Sequence, residues 1–341
     1  MKITKILVAL SFLFAVSTAQ AGELTVTGNM EVTYHTQGDK TTGNPLGTDR
    51  ELKFAGSTEL DNGITVSVMQ DTNDSLTYGN SQLMFGGVAG MFDIYVGSDS
   101  DPVDAIDDIT PSAYEEANGS GSGTYTSNDI GDKAGQMGIG FKYNVPVLGA
   151  FNYKYYPNAD STKNSDNASS GDQNGTTGNA YSASLKTDMG GLPLIGSFLD
   201  GATLTTGVAE TDHSQTANVD DAYDLTAALT YSIGNFSLGV QKKLHNEGEA
   251  AAAATTDAVW YKDTAIGIAY AVNDNLSLSY NTYDSYKHNN TGAPEQETKA
   301  INVGYTMGGM TIGFQDAQTD NDNYTASTTD DTRTLGISVA F

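Results

Sequence analysis

Three hundred and forty-one residues with no Cys, 38 Gly, 19 Tyr, 11 Phe and one Trp exclude a disulfide framework and thiolate chemistry, and make either two ordinary soluble domains or one large barrel. A formal charge of −26 argues against nucleic acid or an anionic membrane surface as a partner. Mean hydropathy of −0.33, with no long apolar run beyond the N-terminal segment, rules out helical membrane spans; a barrel escapes this test because only alternate residues face lipid.

The chain opens with Lys2 and Lys5, an apolar run from Ile6 to Val16 and the small-residue box Ala19-Gln-Ala21. This reads as a Sec-type signal peptide over 1–21, cleaved before Gly22, with 22–341 as one exported domain. The apolar run is too short to serve as a membrane anchor.

From Leu24 an alternation begins. Leu24, Val26, Met30, Val32 and Tyr34 share one face, and Thr25, Thr27, Asn29, Glu31 and Thr33 the other, which is the two-residue period of a strand with one apolar side. The second strand sets Leu52, Phe54 and Leu60 against Glu51, Lys53, Ser57 and Glu59; Asp61-Asn62-Gly63 makes the hairpin turn, and Ile64, Val66 and Val68 start the third. Polar loops at 35–50 and 70–80 alternate with such short turns. Further strands are expected near 81–88, 92–97, 136–144, 150–156, 180–186, 202–209, 223–233, 235–243, 261–272, 276–283, 299–307, 310–315 and 332–341. The fold class is therefore all-β, a 16-stranded antiparallel transmembrane β-barrel. An even strand number brings the termini together on the side of the short turns, and closure of the ladder replaces cross-links as the source of stability.

The stretch 188–201, with Gly190-Gly-Leu-Pro-Leu-Ile-Gly196 inside it, is long and apolar for a short-side turn; a small plug or an extra half-strand are the alternatives. Tyr143, Phe151, Tyr231, Phe236, Tyr270, Tyr305 and Phe341 flank short turns, while Tyr34, Tyr155, Trp260 and Tyr283 stand at loop ends, forming two girdles. The last strand places Leu335, Ile337, Val339 and Phe341 on one face and Thr334, Gly336, Ser338 and Ala340 on the other. A chain ending on such a strand and a terminal Phe resembles outer-membrane proteins of Gram-negative bacteria, which implies that Phe341 belongs to a signal read by the barrel-assembly machinery.

The longest loop runs from Ser98 to Gly135. It carries Asp101, Asp104, Asp107, Asp108, Glu115 and Glu116 ahead of a Gly/Ser run, and follows the hairpin Phe85-Gly-Gly-Val-Ala-Gly-Met-Phe-Asp-Ile-Tyr-Val-Gly97. Hairpin, acidic third loop, sixteen strands and terminal Phe together resemble the general diffusion porins of Gram-negative bacteria, the alphaproteobacterial type above all. The resemblance implies a third loop folded into the barrel, those six acids at the pore constriction, a homotrimer in the outer membrane, contact with its lipid and lipopolysaccharide, and small hydrophilic solutes as cargo. It also implies an arginine cluster on the facing wall, yet this chain has only Arg50 and Arg333. Lys53, Lys142, Lys154, Lys186 and Lys243 fall on the inward parity of their strands and take that place as pore wall. Inward placement is required of any charge in a barrel; the functional reading adds a transverse field against the loop acids.

No Ser/His/Asp set, P-loop or nucleotide fingerprint is present, and Gly119-Ser-Gly-Ser-Gly123 reads as a linker. His35, His213, His245 and His288 are expected in four separate loops without metal-site spacing. No cofactor is expected; the acid-rich loops leave Ca²⁺ or Mg²⁺ open, with solvated loops as the plainer reading. The sequence thus reads as a passive, water-filled channel, cation-preferring at low salt, and not as an enzyme. The alternatives are a substrate-selective channel with a saturable site, or a non-conducting surface adhesin or scaffold.

Overall fold

A computed structural model describes residues 24–38, 43–72, 77–99, 101–117, 130, 137–159, 178–193, 196–212, 220–246, 248, 260–288 and 292–341. The expected signal peptide and His213 lie outside these residues.

Sixteen antiparallel strands close into one barrel, each paired with its sequence neighbours and the first with the last. They are β1 (Leu24–Gln37), β2 (Leu46–Glu59), β3 (Thr65–Thr72), β4 (Tyr78–Val88), β5 (Phe92–Gly97), β6 (Gly138–Val145), β7 (Gly149–Tyr156) and β8 (Ala180–Asp188). The second half holds β9 (Ala202–Thr211), β10 (Ala222–Ile233), β11 (Phe236–Asn246), β12 (Trp260–Ala271), β13 (Leu276–His288), β14 (Gln296–Met307), β15 (Met310–Asp320) and β16 (Thr329–Ala340). Closure leaves no exposed sheet edge, which a membrane requires. The β1–β16 register runs from Asn29↔Ala340 to Gln37↔Thr332, and beyond it the amides of Gly28 and Phe341 each donate to the other's carbonyl, at 2.9 and 3.0 Å.

The alternation expected from sequence sets the faces. Met30, Val32, Leu229, Ile266, Ile268, Ile301, Ile337 and Val339 are exposed on the outside, the apolar band of a membrane barrel. Among the described residues the inside has no central apolar core. Its buried positions are Ala, polar residues such as Gln241, Asn281 and Gln315, and tyrosines such as Tyr95, Tyr156 and Tyr283, with apolar clusters where loop chain packs on wall, as with Val103, Ile130 and Ala209. Tight turns on one side use left-handed glycines where a side chain would strain the backbone, Gly63 (φ 81) among them.

Several boundaries differ from the sequence expectation in one direction. β1, β2, β11, β13, β14 and β15 reach further toward the long loops, because the hydrogen-bond ladder continues above the apolar band, where both faces are wet and alternation fades. His35, His245 and His288 consequently lie in β1, β11 and β13, not in loops. Tyr283, expected in the loop-side girdle, is 1% exposed and faces inward, its hydroxyl donating to Asp263 at 2.8 Å; Tyr286, outward and 5.7 Å from Trp260, takes that level instead. Among its described residues, the stretch after β8 forms neither plug nor half-strand. It makes 3-10 turns at Met189–Gly191 and Gly196–Phe198, the first capped by the Asp188 carboxylate accepting from the Gly190 amide at 2.9 Å.

Strand length is uneven round the wall. β5 has 6 residues and β6 and β7 have 8 each, against 13 in β13.

Candidate functional site

The long loop between β5 and β6 enters the barrel. Of its described residues, 98–99, 101–117, 130 and 137, the run 101–117 is laid against the inner wall from β7 round to β1. Asp101 fixes the start: it is 1% exposed, and its carboxylate accepts from the Tyr156 hydroxyl at 2.5 Å, the Ser182 hydroxyl at 2.7 Å and the Val103 amide at 2.8 Å. The loop then makes a 3-10 turn at Asp104–Ile106. Gln241 of β11 binds two loop peptide groups as a neighbouring strand would, donating to the Ile106 carbonyl at 2.8 Å and accepting from the Ile109 amide at 3.1 Å. Asn281 of β13 donates to the Pro111 carbonyl at 2.9 Å, and Ser279 accepts from the Ala113 amide at 3.0 Å. On β15, Gln315 donates to the carbonyls of Glu115 and Glu116, each at 3.1 Å. The path ends where the Tyr114 hydroxyl donates to Glu31 of β1 at 2.7 Å.

Between these polar anchors the wall is paved with glycine. Gly207 of β9 faces Ile106 and Val103, Gly239 of β11 and Gly267 of β12 face Pro111, Gly304 of β14 faces Ala113, and Gly313 of β15 and Gly336 of β16 face Tyr114; a methyl group at any of them would overlap the loop. Glycine in a strand interior costs strand stability and marks close approach of another backbone. Here that other backbone is the loop.

The six expected constriction acids do not share one role. Asp101 is turned into the wall. Asp108 sits 3.3 Å from the Lys243 ammonium. Burial pushes the Glu115 carboxyl up to about 7, with the nearby charge of Glu31 adding to it. Burial likewise pushes Glu116 up to about 8, with Asp108 adding, while a hydrogen bond from Thr110 and the charge of Lys243 pull it down. Asp104 is the first residue of the 3-10 turn and Asp107 closes its C-terminal end.

The five lysines also divide. Lys154 and Lys243 are 0% and 2% exposed: Lys154 donates to the Asp99 carbonyl at 2.7 Å, and Lys243 lies under Asp108. Both anchor the loop and offer little charge to the open lumen. Lys53 stands opposite Asp71, Lys142 lies 5.3 Å from the Tyr95 ring, and Lys186 is exposed between Ala150 and Thr205. Neither arginine reaches the lumen. Arg50 pairs in register with outward Met30, and Arg333 is 3.3 Å from Asp316 on the outer surface. Phe341 lies outside against Gly28. Among the described residues no three His, Asp or Glu side chains gather as a metal site.

Sequence reasoning missed the seat of the loop: Gln241, Ser279, Asn281, Gln315, Glu31 and the facing glycines. A signal was there. Gly239-Val-Gln241, Asn302-Val-Gly304 and Gly313-Phe-Gln315 put glycine and an amide two residues apart on the inward face of three strands.

Residues 7–324 match the family described as Gram-negative porin. The chain belongs to that family. The porin also superposes on solved structures of OmpT of Vibrio cholerae (TM-score 0.67, 10% identity, covering 95% of this chain and 100% of that one) and of an anion-selective porin from Comamonas acidovorans (0.64, 12%, 94% and 100%). A mutant of the Rh. blastica porin gives 0.59 at 14% identity, covering 94% and 100%. At such identities these likenesses establish the fold alone. Compared with curated protein sequences, the chain matches none. Family and fold together make this porin a passive diffusion channel of the outer membrane, not an enzyme.

Proposed function

We propose that the porin passes small hydrophilic solutes and ions with a preference for cations at low salt. The observation that carries this is the charge of the inward face. Glu31, Glu51, Asp71, Asp224 and Asp263 take inward positions in addition to the loop acids, whereas two of the five expected wall lysines are covered by the loop and both arginines point outward. A lumen of that balance holds a negative potential, felt over about 10 Å at 0.1 M salt and about 3 Å at 1 M. The anion selectivity stated for the Comamonas acidovorans porin belongs to that protein; a shared barrel leaves the sign to the lining.

Zero-current potential in a KCl gradient across a planar bilayer tests it. The wild type favours K⁺ at low salt, and replacing Asp104, Asp107 and Asp108 together by Asn moves the potential toward zero. A wild type that favours chloride overturns the reading.

The same proposal includes self-association into trimers, a form stated for OmpT of Vibrio cholerae. Supporting it, six residues of β5 at about 3.4 Å each, tilted by roughly 40°, rise only about 16 Å, short of the roughly 25 Å apolar band of such barrels. The outer face there is aromatic, with Phe92, Phe141, Tyr143, Tyr153 and Tyr155 lining one depression. A low aromatic wall is better covered by another copy than by lipid. The mass of the unboiled complex in detergent reads it: a monomer mass counts against association.

A further inference from the structure

We propose that Tyr114 is a positioning residue for the constriction, clamping the far end of the inward loop onto the strand pair at which the barrel closes. The loop belongs to the β5–β6 connection, yet its ring rests on Gly313 and Gly336, and its hydroxyl donates to Glu31 across the β16–β1 junction at 2.7 Å. Glu31 stands in register with Ser338 of β16 and Asp49 of β2, so the acceptor is in place only when β1 has paired with β16.

The niche is shaped for this side chain. Glycine at 336 leaves room for both the tyrosine hydroxyl and the Glu31 carboxylate, since a methyl there would overlap the two. The approach is also arranged. The Ser112 hydroxyl donates to the Glu115 carbonyl at 2.6 Å, a local turn that projects residue 114 toward the wall, and Gln315 holds the two following carbonyls. Gln241 and Asn281 secure the middle of the path, while nothing else described ties Tyr114 itself to β1. A hydrogen bond to a charged acceptor is among the stronger single contacts, and here it decides whether the last part of the lining stays against the wall or swings into the conducting path.

The test is single-channel recording with folding followed separately. Tyr114→Phe keeps the ring and removes the donor. It should fold to wild-type yield with unchanged heat-modifiable mobility, yet spend about tenfold more time in transient closures, which corresponds to about 1.4 kcal/mol. Gly336→Val, which displaces the ring, should act in the same direction and more strongly. The chain has no Cys, so Ala113→Cys with Ser279→Cys can tether the loop near the clamp, and oxidation of that pair should quieten Tyr114→Phe. If Tyr114→Phe and Gly336→Val both fold and conduct as quietly as wild type, or if the tether forms and leaves the noise unchanged, the clamp is not what positions the constriction. Current noise and zero-current potential are separate readouts, so a failure here is distinguishable from a failure of the ion preference.

Discussion

Lys243 supports Asp108 from beneath, its ammonium 3.3 Å from the carboxylate with 1% of the lysine side chain exposed against 32% of the aspartate, and 5.2 Å from the Tyr283 ring. A cation that looks like pore lining is thus a foundation for an anion that reaches the water.

Lys243→Gln should therefore change two things at once. Asp108 loses its counter-charge, so the zero-current potential in a KCl gradient moves further toward K⁺. Removing one partner of a buried pair is destabilising, here by about 1 to 2 kcal/mol because Asp108 is partly solvated, and the folded band should convert to the unfolded one at lower temperature. A potential that stays put or moves toward chloride would show that Asp108 is not felt by the permeating ion.

Glu115 and Glu116 make the preference depend on pH. Their carboxyls, raised from 4.5 to about 7 and about 8, are neutral at pH 6 and charged at pH 9, so cation preference should rise across that interval. Glu115→Gln with Glu116→Gln should flatten the rise. Stability has the opposite trend. The folded state holds these protons where the unfolded chain has released them, so the stabilisation is fully present below pH 4.5 and is lost as pH rises through about 7 to 8. A selectivity that is constant from pH 6 to 9 would place both carboxyls out of reach of the ion path.

Ile337 and Ser338 are adjacent and face opposite ways. Ile337, 43% exposed, stands between Val32 and Ile312 on the outer surface, and Ser338 faces in beside Glu31. Lysine at 337 near the middle of the bilayer costs about 2 to 4 kcal/mol, while an inward lysine at 338 meets water and a carboxylate. Folded yield in detergent should fall for Ile337→Lys and hold for Ser338→Lys. Equal yields would mean that the strand is slipped by one residue.

The strands could be read from sequence because each has one face against lipid and one against water, which imprints a period of two, and because glycine turns punctuate them. Their loop-side ends could not, since Asp284, Glu297 and Asp320 continue the ladder at a level where both faces are wet. The acids of the inward loop stood out by composition. What each one does was hidden, because the difference between Asp101 in the wall and Asp108 over Lys243 is set by residues far along the chain, Tyr156, Ser182 and Lys243 itself. Single glycines in strands read as weak spots; only the register shows that six of them face one loop.

That row of glycines also measures the loop. Ile106 meets Gly207, Pro111 meets Gly239 and Gly267, Ala113 meets Gly304, and Tyr114 meets Gly313 and Gly336, so each contact is assigned by position along the chain. One residue inserted or deleted between Ile106 and Tyr114 would carry every later side chain past its vacancy in the wall, whereas a substitution at exposed Ala105 leaves the whole fit undisturbed. Length is the rigid property of this stretch and charge the adjustable one, which lets the pore's ion preference be retuned without recutting the barrel.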